Sequence, residues 1–189
     1  MMLKDFENII KDTKKRIEEI DPFLGRLINH IDVKIKFGDR QCYTYGKDIN
    51  IGEGYFKMYN EDDLLFAVMH ELLHIVLLQP SRMNGMDALR YNVLTDIIVN
   101  DVLLSYGVSA GNNQCYTAEQ YNIHNLRDLP MREIEEKLSH INTPTGISPA
   151  LLEKMCYYEK DSETFIKGMI GQITSNNPLL QSKLEHLYL

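Results

Sequence analysis

From Leu64 to Leu78 the chain runs LLFAVMHELLHIVLL, and His70, Glu71 and His74 are the only polar residues in it. A helix this apolar all round is a helix buried all round. Burying polar side chains costs about 1–3 kcal/mol for each one left unpaired, and more for a charge. Any fold this chain adopts must therefore satisfy His70, Glu71 and His74 together. Helical spacing offers a way. Positions i and i+4 share a face one turn apart, so both imidazoles reach one metal ion, and a glutamate at i+1 flanks a water on that ion. The pattern is H-E-x-x-H, the spacing of a catalytically open zinc site that a third protein ligand and a water complete. The expected metal is Zn²⁺, with His70 and His74 as ligands and Glu71 as general base.

The third ligand is sought further along the chain. Asn60 can cap the first helix, with Glu61, Asp62 and Asp63 in its first turn, and Pro80 predicts its end near Gln79. After a loop holding Asn84-Gly85, a second helix is predicted from about Asp87 to Tyr106, stopped by Gly107. Leu89, Val93, Ile97 and Leu104 mark its apolar face, and Asn92, Asp96 and Asn100 form a polar row beside it. If the two helices make an antiparallel hairpin, His74 and His70 lie about 9 and 15 Å above the turn, and Asp96 about 13.5 Å up the other arm. Asp96 is then level with the histidines and is the candidate third ligand. Asn92 and Asn100 fall on either side, placed to steady the ligands, and Arg82 is a candidate for the same supporting role. Asp101 points about 140° away from Asp96. A second role for Asp96 stays open at this point: a buried carboxylate paired with Arg82 or Arg90.

Elsewhere the patterning is that of an α+β domain. Leu3, Phe6, Ile10, Ile17, Ile20, Leu24, Leu27 and Ile31 recur at helical spacing, and Pro22 predicts a break near Asp21. Val33, Ile35 and Phe37 alternate with Lys34 and Lys36 as a half-buried strand, followed by a Gly38-Asp39 turn. Cys42–Tyr45 and Asp48–Ile51 read as further short strands. Residues 107–128 show no period, as expected of a lid or binding loop. Helical spacing returns near Pro130 with Ile134, Leu138 and Ile141, and Ser148-Pro149 and Asn177-Pro178 are cap-and-proline helix starts. Thr143-Pro-Thr-Gly146 is the candidate boundary between a catalytic domain (1–142) and a helical appendage (143–189).

Charge and cysteine usage narrow the function classes. Twenty Lys+Arg stand against 27 Asp+Glu, a net charge of −7, which disfavours nucleic acid and anionic membranes as partners. No apolar run reaches the ~18 residues of a membrane span, and the charged N-terminus lacks a signal-peptide core. Cys42, Cys115 and Cys156 are widely spaced and odd in number, the pattern of reduced thiols in a cytoplasmic protein. His30, His124, His140 and His186 show no ligand spacing, and Lys11, Lys14, Lys15 and Arg16 read as a solvated helix face. Tyr43, Tyr45, Tyr55 and Tyr91 lie near the site in sequence. None of the four stands out as an oxyanion stabiliser.

These residues resemble a known family. FAVMHELLHIVL, then Arg82, then YNVLTDIIVNDVL is similar to the zinc metallopeptidase domain of bacteria and their phages that precedes a von Willebrand factor A-like domain in longer members. The shared pattern is H-E-x-x-H, an arginine, an aromatic-Asn pair (Tyr91-Asn92), an Asp four residues on (Asp96) and an Asn four further (Asn100). Upstream PFLGRLI and the strand ending Ile49-Asn50-Ile51 also fit, so the likeness covers roughly residues 20–140. Family members often carry a histidine where this chain has Gln79, about 140° around the helix from His74. The resemblance implies a zincin-like fold, mainly helical with a small twisted sheet and an H-E-x-x-H helix, and zinc-dependent hydrolysis of a protein or peptide. By fold analogy, a strand near Asp48–Ile51 would pair with an extended substrate. The competing expectation is a metal-binding but non-catalytic interaction module on the same fold.

Overall fold

The computed structural model describes residues 3–77, 88–113, 115–126, 129, 131–138 and 162–175. It opens with two helices, α1 (Leu3–Ile20) and α2 (Pro22–Asn29). Asp21 makes the predicted break. Its backbone is extended, its carboxylate accepts from the N–H groups of Phe23 (2.8 Å) and Leu24 (3.0 Å), and Pro22 takes the first helical position, where a missing N–H costs nothing. Phe6, Ile10 and Ile17 of α1, Leu24 and Leu27 of α2, and Ile31 after it are buried as the periodicity marks, and Ile28 is buried beside them.

Three short strands follow: β1 (Asp32–Lys36), β2 (Cys42–Thr44) and β3 (Asp48–Gly52). Their order in the sheet is β1-β3-β2. β1 runs parallel to β3 with Val33 opposite Ile49 and Ile35 opposite Ile51, and β2 runs antiparallel to β3 with Thr44 opposite Ile49. Two expectations change here. β1 ends at Lys36, and the turn that follows (Asp39 N–H to Lys36 O, 3.3 Å; Gly38 at φ +78°) carries Phe37 off the sheet, 68% exposed. The strand holding Asp48–Ile51 is the central one. Both of its edges are taken by β1 and β2, so it has none to offer a substrate.

After α3 (Glu53–Met58) comes α4 (Glu61–Val76), with Asn60 as its cap and Leu77 as its last described residue. A capping box closes its start: Asn60 Oδ1 accepts from Asp63 N–H, and Asp63 accepts from Asn60 N–H. α4 is the centre of the main core. Leu64–Met69, Leu72, Leu73, Ile75 and Val76 pack with α1, α2, Ile49 and Ile51 of β3, and with Ile166, Met169 and Ile170 of the last described helix, α7 (Ser162–Thr174). Each such side chain contributes about 1.5–3 kcal/mol by leaving water.

α5 (Ala88–Ser105) lies between two cores. Val99 and Leu103 belong to the main one. Val93, Leu94 and Ile97 form a second with Ala118, Ile123, Leu126 and Ile134, the last from α6 (Met131–Leu138). Leu104, one heptad after Ile97, is 43% exposed, because the second core has ended and the last turn packs through Leu103 instead. The helix stops as predicted, with Gly107 at φ +77°. The loop at 107–128 has a single turn of 3₁₀ helix, Glu119–Tyr121, among its described residues. No helix of the described residues is long and apolar enough to cross a membrane. Arg82, Gln79, the Asn84-Gly85 loop, the 143–146 boundary, Cys156, His140, His186 and the two late cap-and-proline starts lie outside the described residues.

Candidate metal centre

α4 presents His70 and His74 one turn apart, and α5 brings Asp96 against them. His70 Nε2 and His74 Nε2 are 2.9 Å apart. Asp96 Oδ1 is 3.1 Å from His74 Nε2 and 3.4 Å from His70 Nε2. Three atoms able to offer a lone pair thus form a small triangle inside the protein. Ligand atoms around a tetrahedral ion with bonds near 2.0–2.1 Å stand about 3.3 Å from one another, so the donor set and its spacing fit a zinc-sized ion.

A hydrogen-bond relay sets which nitrogen of His70 carries its proton. Asn100, fully buried on α5, donates through Nδ2 to the main-chain carbonyl of Tyr116 (2.9 Å). A carbonyl only accepts, so Nδ2 must be the atom facing Tyr116, and Oδ1 must be the atom facing His70. Oδ1 lies 2.9 Å from His70 Nδ1, and it requires a proton there. The neutral ring therefore keeps its lone pair on Nε2, inside the triangle. Ligand-orienting partners of this kind hold a ring in the tautomer a metal needs. On the far side, Asn92 Nδ2 donates to Asp96 Oδ2 at 3.1 Å and leaves Oδ1 directed at the histidines.

Charge binds the cluster tightly. Burial disfavours the charged form of His70, but the Asp96 carboxylate, with Glu71 and Asn100 adding to it, raises the ring to about 8. Burial would likewise raise Asp96, and hydrogen bonds and charge from both histidines outweigh it and bring the carboxyl down to about 2. Glu71 has a different environment. Burial pushes its carboxyl up, the two histidines pull partly back, and the main-chain N–H of Thr44 in β2 is a hydrogen-bond partner. A buried carboxylate of raised pKa beside residues that could hold a cation is matched to taking a proton.

β2 contributes its edge to this side of the molecule. Gly52 N–H bonds Gln41 O (2.7 Å), so the mutually bonded pairs of the β2–β3 ladder are 41–52 and 43–50. Antiparallel pairs alternate, and Cys42 and Thr44 therefore direct their N–H and C=O groups away from β3. The Cys42 thiol lies near Glu71. Burial raises it, and the Glu71 charge adds to the effect.

The structure brings His70, His74, Asp96, Asn92, Asn100 and Glu71 together in one place. Other candidates are known here by different contacts or by their exposure. Tyr55 is buried and bonded to Asn113 Oδ1, Tyr43 and Tyr45 lie against each other at 5.1 Å, Tyr91 is buried, and His30 and His124 are exposed. Arg90 is exposed as well. The residues that sequence missed come from the aperiodic loop. Burial raises the Cys115 thiol and the Tyr116 phenol, and the Asp96 charge adds to the effect on both. Neither carries a spacing signal, because a loop places its side chains by long-range contacts alone.

A family described as "putative metallopeptidase domain" matches residues 6–163, and the chain belongs to it. No curated protein and no solved structure matches the chain at a significant level.

Proposed function

We propose that this member of the metallopeptidase-domain family is a zinc peptidase with a zincin-like arrangement. In this reading His70, His74 and Asp96 hold the metal, and Glu71 acts as general base on a protein or peptide substrate. The convergence of two Nε2 atoms and one carboxylate oxygen within 3.4 Å of one another supports it most strongly. A zinc ion in such a site polarises a carbonyl and lowers the pKa of water to about 7. Asn100 keeps the His70 proton on Nδ1, and Asn92 keeps Asp96 Oδ1 turned inward. Glu71, one residue from His70 on the same helix, accepts the proton of the attacking water and passes it to the leaving amine. Its raised pKa favours the first transfer, from water to carboxylate, and contact with the Thr44 N–H keeps the carboxylate in place for it.

An extended peptide would lie along β2, pairing with the outward N–H and C=O of Cys42 and the C=O of Thr44, while the Thr44 N–H stays on Glu71. β-strand addition of this kind supplies main-chain hydrogen bonds without demanding a sequence.

The test is Glu71→Gln beside wild type, assayed for bound zinc and for cleavage of denatured casein and a mixed set of fluorogenic peptides. The expected result is unchanged zinc with cleavage lost by about 10²–10⁴-fold, the usual contribution of a general base. Equal cleavage by variant and wild type would overturn the role of Glu71. Zinc bound with no cleavage by wild type would favour a metal-binding interaction module instead.

A further inference from the structure

We propose that the contact between Asp63 and Asn112, at the opposite end of α4 from the histidines, is a positioning element for the metal centre. It would set the tautomer of His70 through the loop that carries Tyr116. The proposal rests on the metal-centre reading above and extends it to residues that touch neither metal nor substrate.

Asp63 is fully buried in the first turn of α4. Its carboxylate accepts from Asn112 N–H (2.8 Å), Asn112 Nδ2 (2.9 Å) and Asn60 N–H (3.2 Å). Its main-chain oxygen accepts from Asn113 Nδ2 (3.0 Å), and Tyr55 Oη, whose one proton goes to the closer Asn113 Oδ1, lies 3.2 Å from it. Asn113 in turn donates from N–H and Nδ2 to Ala110 O, both at 2.9 Å, which closes the loop on itself. Gly111 sits at φ +56°, and a Cβ there would lie 2.0 Å from Asp63 Oδ1. Only glycine allows this approach. The loop is thus clamped to the helix by its own backbone as well as by side chains.

Three residues past Asn113 comes Tyr116, whose carbonyl orients Asn100. If that carbonyl shifts out of reach, nothing requires Nδ2 to face it. The Asn100 amide can then turn over and present Nδ2 to His70 Nδ1. A donor there asks Nδ1 to accept, and the ring proton moves to Nε2, the atom that faces Asp96 and His74. A protonated Nε2 cannot ligate. The clamp at one end of α4 therefore selects the ligating form of a histidine near its other end, by way of the loop.

The experiment compares wild type, Asn112→Ala, Asn100→Ala and the double variant. Zinc dissociation constants come from competition with a chromophoric chelator. The ring-nitrogen shifts of His70 come from long-range ¹⁵N NMR of metal-free protein at a pH where imidazoles are neutral. The expected result is that Asn112→Ala weakens zinc about three- to tenfold, less than the about 10–100-fold of a direct outer-shell partner, and moves His70 toward the Nε2–H tautomer. In the Asn100→Ala background the same substitution should change zinc affinity less than about twofold, since coupled residues are not additive. Asn112→Ser serves as the milder variant should the alanine fail to fold. Lower stability with unchanged zinc affinity and unchanged His70 shifts would overturn the proposal, as would an equal effect in both backgrounds. A wild type that binds no zinc would overturn the metal-centre reading instead, and the shifts alone would then decide the relay.

Discussion

The two ends of α4 hold two buried polar clusters of opposite character. At the N-terminal end, Asp63 is an acceptor surrounded by donors: two groups of Asn112 and the Asn60 N–H reach its carboxylate. Two turns later, His70 Nε2, His74 Nε2 and Asp96 Oδ1 converge on one another, and the relay through Asn100 keeps the His70 proton on the far side of its ring. The first cluster is complete as protein. The second is arranged to offer lone pairs. A buried group matched by protein donors marks architecture, and a buried group of matched acceptors marks a place for a cation.

Substitutions at each end should separate the two characters. The largest effect on the metal end without touching a ligand is expected from Asn100→Ala. It removes the group that fixes His70, and zinc affinity measured by chelator competition should fall about 10–100-fold. At the architectural end, Gly111→Ala should cost at least about 2 kcal/mol in a denaturant titration. A Cβ at φ +56° is strained by roughly 1–2 kcal/mol, and its clash with Asp63 Oδ1 opens the clamp as well.

Asp63 should also leave a mark on the pH dependence of stability. Burial would raise its carboxyl, but the side chain and backbone of Asn112 and the backbone of Asn60 outweigh burial and hold it below the usual aspartate value. Its contribution is then fully present above the unfolded value, about 3.9, and is lost as pH falls through the lower folded value. Urea midpoints between pH 2 and 6 should fall more steeply for wild type than for Asp63→Asn. The smallest effect is expected outside both clusters. The exposed Lys57–Glu53 pair at 2.5 Å is screened by water, so Lys57→Ala should leave the urea midpoint unchanged within error.

These two ends were not equally legible in the sequence. His70, Glu71 and His74 stand out because they interrupt an apolar run at helical spacing, and Asp96 follows from helical rise along a second helix. Both signals are local. The Asp21 break and the Asn60 cap were readable for the same reason. The Asp63 clamp joins residues 49 positions apart through short polar side chains in an aperiodic loop, and Tyr116 acts through a carbonyl that every residue possesses. Strand order also escaped. Alternation locates β3, but only the pairing with β1 and β2 shows that it is central. Phe37 misled because period-2 patterning cannot see where a turn carries the chain off the sheet.

The most direct measurement is zinc content and affinity of the purified protein, wild type beside His74→Ala and Asp96→Ala, by metal mass spectrometry and chelator competition. A single three-ligand site predicts about one zinc per chain in wild type, and its loss in both variants with the helical fold retained. Zinc retained by Asp96→Ala, or no zinc in wild type after reconstitution, would contradict it.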